Sequence, residues 1–577
     1  MKKRVNRKFF LEILIILLIS MGVTLPFFMN NGVISGMGHD DWAFHFGRIR
    51  SLVGALEKGS LPVSVNYLDF ASQGIGVNAA YPFFSLYLFI WPFLLPIRLK
   101  VAVFIFVFLL NIVITVNIWG FVNEFTNKIW IKTSIAILYV FNNYHLILMY
   151  KRFSLGELLG YMMVPLVALG ILQIWEKKKS GIILLAWGVS LIINSHLLSL
   201  LFIVITLVLV ELVRILGRKI NLTEIKYIGL AAIMSLPMTC VTIYNFLTLS
   251  MNNNYVTPAI TLPLNNSSIL PGIYLLDFKR IFNPIPLTQL NAQTWNLSTL
   301  LLLLSIISII YLIIRRDKND SYYILSGIAG VIILILSLNI INWDFTENIN
   351  IFSFIRVIQF PGRVLMISVI FLIIPIIRML IMIKLPSTKV LSCIVISALL
   401  LNGIVTIHRT AKTFNDYLPE NIMATGINNQ VFTTDYYPEA KLNKKKMTAA
   451  VRVSHSYIDG PITFGWSTPT FKSAHYNMKV NSSNLNQYVT TPAIAYKGFQ
   501  YDVQLNGSRV AWKKDPNYGT IAIKSDDIKS DALNTLDITI EPLKFEMILT
   551  IINLVMYIGT AVMFLLFSCK RRLKKII

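Results

Sequence analysis

Two adjacent carboxylates stand between two histidines in His39-Asp40-Asp41-Trp42-Ala43-Phe44-His45, with Arg48 and Arg50 just beyond, directly after the first long apolar run. Such a cluster is costly to hold partly out of water at a membrane boundary, which makes it the first place to look for chemistry. Asp40 and Asp41 suit general-base catalysis: the two carboxylates repel, and a base needs one oxygen poised to accept a proton. A structural reading competes, because Asp is a good helix N-cap and Trp42 through Leu56 suit an amphipathic helix lying on the membrane. His39 and His45 can orient a carboxylate or assist a cation. Two histidines and two carboxylates do not make a closed zinc pattern, so no cofactor is certain. A divalent cation such as Mg or Mn, held by Asp40 and Asp41 with a substrate phosphate, fits better.

Further chemistry-bearing residues recur along the chain. Lys151-Arg152 fill a turn that the charge rule would leave neutral, Glu157 follows in Phe153-Ser154-Leu155-Gly156-Glu157, and His196 interrupts an apolar run in Asn194-Ser195-His196. Arg356, Gln359 and Arg363 stand at the entrance to another apolar run. Basic residues kept on the outer side suit an anionic ligand such as a lipid phosphate. Snorkelling to headgroups accounts equally well for any one of them.

The elements that must position these residues are membrane helices. Hydrophobic residues make up 55% of the 577 and charged residues only 14%, and the mean hydropathy is +0.65, far above a soluble domain of this length. The formal charge of +24 sits in short Lys/Arg clusters between apolar runs, the pattern of the positive-inside rule, so nucleic acid is not implied. The three cysteines, Cys240, Cys393 and Cys569, have neither metal-site nor disulfide spacing.

Runs long enough to span a bilayer fall at about 9–29, 101–122, 130–150, 157–174, 227–247, 297–314, 322–341, 363–384, 388–408 and 546–568. A double-length run, 181–214, reads as two helices meeting at Asn194-Ser195-His196. The first run lacks a small-x-small cleavage site and reads as a retained anchor. Three prolines in 82–97 suit an interfacial or re-entrant piece. That choice places the basic clusters inside and gives about 12 spans with both termini cytoplasmic.

Residues 409–543 change period. Val451-Arg452-Val453, Ala493-Ile494-Ala495-Tyr496, Tyr501-Asp502-Val503-Gln504-Leu505 and Thr520-Ile521-Ala522-Ile523 read as strands, and Asn506-Gly507 is a strong hairpin signal. The expectation is an extracytoplasmic antiparallel β-sandwich before the last span. The chain thus divides into a membrane domain (1–408) whose outer loop 30–100 carries the acidic pair, the β domain (409–543), and a final helix with a basic tail (544–577).

GHDDWAFHFGRI after the first span, PVSVNYLDFASQGIGVNAAYPFFSLY, FSLGELLGYMMVPLVALGI, NSHLLS and IRVIQFPGRVL occur in that order. Together they resemble the bacterial membrane proteins catalogued as 6-pyruvoyl-tetrahydropterin-synthase-related, and are similar to the YfhO-like family. DYLP (416–419), DYYPEA (435–440) and YKGFQYDVQLNG (496–507) extend the resemblance more weakly into the outer domain. These families look like C-type glycosyltransferases (GT-C), whose first outer loop carries an acidic catalytic base or metal ligand. The resemblance implies a multi-pass bacterial plasma-membrane enzyme that takes a polyprenyl-phosphate-linked sugar from the membrane. The acceptor would be an extracytoplasmic glycan or glycolipid such as teichoic acid or capsule polysaccharide. By position Asp40 matches the acidic site best and Asp41 second. Arg356 and Arg363 match the basic pattern of the family's F-P-x-R segment, with Gly362 where a bulky residue is more usual.

A transporter or flippase of lipid-linked glycan is the main competing class. It would show charged groups near midplane and often repeated halves, whereas these ionisable residues gather toward one face. A non-catalytic scaffold would leave the acidic loop without a use.

Overall fold

Long apolar runs with a few polar side chains must form helices that satisfy their own backbone, and the computed structural model is built of them. It describes residues 2–29, 41–60, 64–68, 72–255, 263–280, 285, 289–383, 436–439, 456–459, 462–465, 469–481, 486–530 and 532–573. The long helices are α1 (Lys2–Met29), α2 (Trp42–Glu57), α3 (Leu99–Asn123), α4 (Ile129–Val140), α5 (Leu155–Trp175), α6 (Ser180–Ile193), α7 (Leu197–Leu216), α8 (Leu222–Ser235), α9 (Cys240–Asn252), α10 (Thr299–Arg315), α11 (Ser321–Leu336), α12 (Leu365–Met382) and α13 (Glu546–Leu573). Among the described residues, eight helices are long and apolar enough to cross a membrane. The chain is therefore a membrane protein.

Several expected spans differ from the structure. The run 130–150 is helical only to Val140, then restarts at Asn143 because Asn142 caps the next turn by accepting from the His145 amide at 3.1 Å. The run 227–247 is two helices, α8 and α9, bent by 67° around the break that contains Pro237. The double-length run divides at Asn194-Ser195-His196 into α6 and α7. Residues 82–97 form two short 3-10 helices, Phe84–Leu88 and Trp91–Leu94, and no spanning helix. The run expected at 388–408 lies outside the described residues.

Lipid offers little hydrophobic drive for helix pairing, so contacts come from small residues and buried hydrogen bonds. On α1, Ser20 donates to Thr115 of α3 at 3.1 Å, and Asn111 of α3 donates to Thr24 at 2.9 Å. Between α5 and α6, Gly170 lets the backbones meet: a Cβ there would lie 2.5 Å from the Leu185 amide nitrogen.

Near the C-terminus, the described residues include nine strands in two antiparallel sheets that share one apolar core. They are β1 (Ser456–Asp459), β2 (Ile462–Gly465), β3 (Ser473–Val480), β4 (Tyr488–Ile494), β5 (Tyr501–Leu505), β6 (Ser508–Arg509), β7 (Trp512–Lys514), β8 (Thr520–Lys524) and β9 (Asn534–Ile540). The six-stranded sheet runs β1-β2-β3-β9-β5-β6 and the three-stranded one β4-β8-β7. Asn506 and Gly507 join β5 to β6 with φ of 51° and 79°, both in the left-handed region that such a tight hairpin requires. Val451-Arg452-Val453 lies outside the described residues.

Three buried tyrosine hydroxyls tie this domain to the segment 72–81. Tyr476 donates to the Ser72 carbonyl at 2.8 Å, Tyr437 donates to Gln73 at 2.5 Å, and Tyr496 accepts from the Gly76 amide at 3.0 Å.

Candidate functional site

The site is a chain of four charged side chains at the end of the bundle where α2, α5 and α12 begin. Arg152 follows a short π-helical turn, Ile147–Lys151, just before the start of α5. Its Nη2 donates to Asp41 Oδ2 at 2.8 Å and its Nη1 to Glu157 Oε2 at 2.9 Å. Arg363 donates through Nε to the same Glu157 oxygen at 3.1 Å, and through Nη1 to Gln359 Oε1 at 2.8 Å. Tyr144 donates to the other Glu157 oxygen at 2.6 Å. Beneath the two guanidiniums lies the Phe360 ring, with Trp295 stacked under Arg152 at 4.7 Å.

Arg152, Glu157 and Arg363 are buried, whereas the Asp41 side chain is 43% exposed. Burial works against the charge of Arg152, but Asp41 and Glu157 outweigh it and raise its pKa. The cluster is neutral in sum, two arginines against two carboxylates, which is what allows charges to sit so deep.

Backbone strain frames the cluster on both sides. Phe153, next to Arg152, has φ of 50°, and Gln359, whose side chain holds Arg363, has φ of 61°. At Gln359 the Phe360 amide reaches back to the Ile358 carbonyl at 2.7 Å, the rare strained γ-turn. Such positions persist where the surroundings enforce them, often at functional sites.

A second group adjoins the first. Tyr81 lies over Arg48, with 4.4 Å between the guanidinium carbon and the ring centroid, and neighbours the rings of His45 at 5.5 Å and His196 at 5.7 Å. Its hydroxyl fills the notch left by Gly156, where a Cβ would come within 2.1 Å of the oxygen. Burial pushes the Tyr81 phenol up and keeps it protonated. Arg48 donates through Nη2 to the carbonyls of Tyr81 at 2.9 Å and Pro82 at 2.7 Å, and pairs with no carboxylate among the described residues. Burial lowers its pKa to about 10. His196 accepts at Nδ1 from the Ser199 amide at 3.2 Å and so caps α7. Burial, then Arg363, pull the His196 pKa down to about 3, and burial with Arg48 lowers that of His45. Both imidazoles are neutral at ordinary pH.

Of the residues singled out by sequence, Asp41, Arg152, Glu157, Gln359 and Arg363 are joined by hydrogen bonds, and His45, Arg48 and His196 gather about Tyr81. His39 and Asp40 lie outside the described residues. Arg356 stands apart: it is half-buried, its Nε has no partner, and it pairs with no carboxylate among the described residues.

The structure also bears on the competing structural reading of this stretch and on the two arginines. Asp41 occupies the N-cap position of α2 but makes no capping bond, because its carboxylate turns to Arg152. Helix α2 does not lie on a membrane surface: Trp42, Phe46 and Ile49 are buried on one side and His45, Arg48 and Arg50 on others. Arg152 and Arg363, read from the sequence as cations for an anionic ligand, are both held by carboxylates.

The sequence reading missed Tyr81, Tyr144, Trp295 and Phe360. Tyr81 and Tyr144 were visible only as aromatics near a membrane boundary, where aromatics are common; the Gly156 that receives Tyr81 was the available hint. For a cation, the described residues offer no group of three or more His, Cys, Asp or Glu, and the Asp41 and Glu157 carboxylates already face arginines.

A scan of the chain against protein-family models finds no match, and no curated protein matches it.

Proposed function

We propose that the protein is an integral-membrane inverting glycosyltransferase of the GT-C type, moving a sugar from a polyprenyl-phosphate donor to an extracytoplasmic glycan or glycolipid. The observation that carries this reading is Asp41: it is the half-exposed carboxylate of an otherwise buried cluster, with Oδ2 fixed by Arg152 and Oδ1 without a partner among the described residues. A base held in one orientation by a buried cation can meet a substrate without reorganising. The acceptor hydroxyl gives its proton to Asp41, or to the neighbouring Asp40, as its oxygen bonds to the anomeric carbon. The bond from that carbon to the phosphate oxygen breaks on the opposite face, the polyprenyl phosphate leaves, and the configuration inverts. The transition state has oxocarbenium character, as in glycoside hydrolysis. Arg152 acts as a positioning residue, and Arg356, unpaired among the described arginines of this region, is the cation available to the donor phosphate. No step is assigned to a metal.

In the full reading the chain has about 12 spans with both termini cytoplasmic, which puts the cluster and the β domain outside in a bacterial plasma membrane.

The test is transfer of label from polyprenyl-phosphate sugars in membranes holding wild type, Asp40→Asn, Asp41→Asn or the double variant. Losing the base costs about 10²–10⁴-fold in rate, with protein abundance unchanged. Full transfer by the double variant removes the acidic pair from the mechanism. Binding of lipid-linked glycan without consumption of any donor would make the protein a transporter instead.

A further inference from the structure

Immediately before the span that carries Arg363, residues Asn350–Ile358 form a 3-10 helix. Three residues per turn place side chains at i, i+3 and i+6 in one line. One such line is Ile351, Phe354 and Val357, which are 74%, 69% and 58% exposed. On a neighbouring line the Phe352 ring meets Phe345 edge-on at 5.5 Å and is 39% exposed, less than any residue of the first line. The remaining line carries Arg356 and continues to Gln359. The helix is thus amphipathic with its apolar ridge turned outward.

We infer that this ridge is a membrane-contact surface, seated among the acyl chains of the phospholipid leaflet at the Asp41 end of the bundle. Two observations name lipid as the occupant. Through the tight turn at Gln359 the segment leads directly into Pro361–Met382, a span by length and apolarity, so it sits close to the depth where that span leaves the hydrocarbon. The neighbouring helices also expose apolar surface of the kind that faces lipid. Ile307, Ile310 and Ile314 of α10 and Ile332 of α11 are exposed, as is Ile340 just beyond α11. The loop before α10 ties these parts together: Ser267 donates to the Gln359 carbonyl at 3.0 Å, and the Asn339 amide donates to the Ile269 carbonyl at 2.9 Å. An amphipathic segment with a cation beside its apolar face is the form that lies in a membrane interface. Arg356 then stands at headgroup depth, where a long cationic side chain reaches phosphate. Through Gln359 and the Ile358 carbonyl, both of which accept from Arg363, the ridge is wired directly to the charged cluster. Glycosyl transfer is not needed for this contact with lipid.

The test uses nitroxide labels at Ile351→Cys, Phe354→Cys or Val357→Cys, each alone in a chain bearing Cys240→Ser, Cys393→Ser and Cys569→Ser. The protein is reconstituted in phosphatidylethanolamine/phosphatidylglycerol vesicles. Ile310→Cys serves as the lipid reference and Arg509→Cys, at a position 77% exposed on the β domain, as the water reference. Collision rates with oxygen should follow position 310, and those with a water-soluble nickel chelate should be several-fold below position 509. Labels that follow position 509 overturn the inference. So do labels shielded from both reagents, which would mean a protein cover from a second copy or another segment of the chain. Phe354→Trp in the otherwise unaltered chain gives an independent reading. Brominated lipid should quench the added fluorescence, and no quenching beyond that of wild type overturns the inference without any cysteine replacement.

Discussion

Arg363 donates through Nε to Glu157 Oε2 at 3.1 Å, a contact that joins residues 206 positions apart. That same oxygen takes Arg152 at 2.9 Å, so Glu157 is the anion on which two buried cations converge. Glu157→Gln leaves the two arginines with Asp41 as their remaining carboxylate partner among the described residues. Removing one member of a buried ionic set costs about 3–5 kcal/mol. Unfolding of the detergent-solubilised variant, followed by fluorescence-detected size exclusion after heating, should show that loss as a markedly lowered midpoint. An unchanged midpoint would mean that Arg152 and Arg363 do not depend on Glu157.

Tyr81 reaches the site only because residue 156 has no side chain. In Gly156→Ala the added Cβ would lie 2.1 Å from the phenol oxygen and 2.6 Å from Cε1, so the ring must move and disturb the Arg48 guanidinium beneath it. Forced overpacking typically costs about 1–3 kcal/mol. The same midpoint measurement should fall for Gly156→Ala and recover in part when Tyr81→Ala is added. A Tyr81→Ala addition that makes matters worse by the full sum of the two single effects would show that the residues do not meet.

Protonation of His196 removes the acceptor that caps α7, and the site already holds Arg363, Arg152 and Arg48 against Glu157, with neutral His45 nearby. Its pKa falls from 6.5 unfolded to about 3 folded, by burial first and then by Arg363. The unfolded chain therefore binds the proton more readily, and stability attributable to His196 is complete above pH 6.5 and declines as pH falls toward 3. His196→Asn keeps a capping acceptor and does not titrate. The difference in unfolding midpoint between wild type and His196→Asn should be constant above pH 6.5 and should shift against wild type below it. Parallel curves down to pH 4 would contradict the lowered value.

The candidate residues were legible because charge in an apolar sequence is conspicuous: Asp41, Arg152, Glu157, His196 and Arg363 each interrupt or border a run that would otherwise be uniformly apolar. Their pairing was not. Hydropathy places Arg152 and Arg363 at one face but does not tell a free cation from one already held by Glu157, and that distinction changes which arginine can meet a phosphate. The span break at Asn194-Ser195-His196 was legible from the double length of its run, whereas Pro237 and Asn142-Asn143 each sit within a run of ordinary length whose average hydropathy overrides one polar or cyclic residue. Alternation gave strand Tyr501–Leu505 and, through Thr520-Ile521-Ala522-Ile523, all but the last residue of β8, and Asn506-Gly507 gave the hairpin between β5 and β6. The attachment of the β domain to segment 72–81 was invisible, because it is made by tyrosine hydroxyls whose partners are backbone groups and one glutamine side chain far away in sequence.

That attachment yields a prediction for the β domain as a clamp. Tyr496 accepts from the Gly76 amide at 3.0 Å and donates to the Tyr436 carbonyl at 2.8 Å, and Gly76 lies five positions before Tyr81. Tyr496→Phe keeps the ring in its core and strands a buried amide, which costs about 1–3 kcal/mol. If the domain holds the segment in place, the penalty falls on local opening of 72–81 more than on the sheets. Hydrogen exchange by mass spectrometry should then quicken about 5–150-fold for a peptide covering 72–81, the ratio that such a free energy corresponds to, while peptides from β5 and β9 keep their wild-type protection. Equal acceleration in both would make Tyr496 a general stabiliser of the β domain. Unchanged exchange at 72–81 would show that the segment is held by the membrane helices alone.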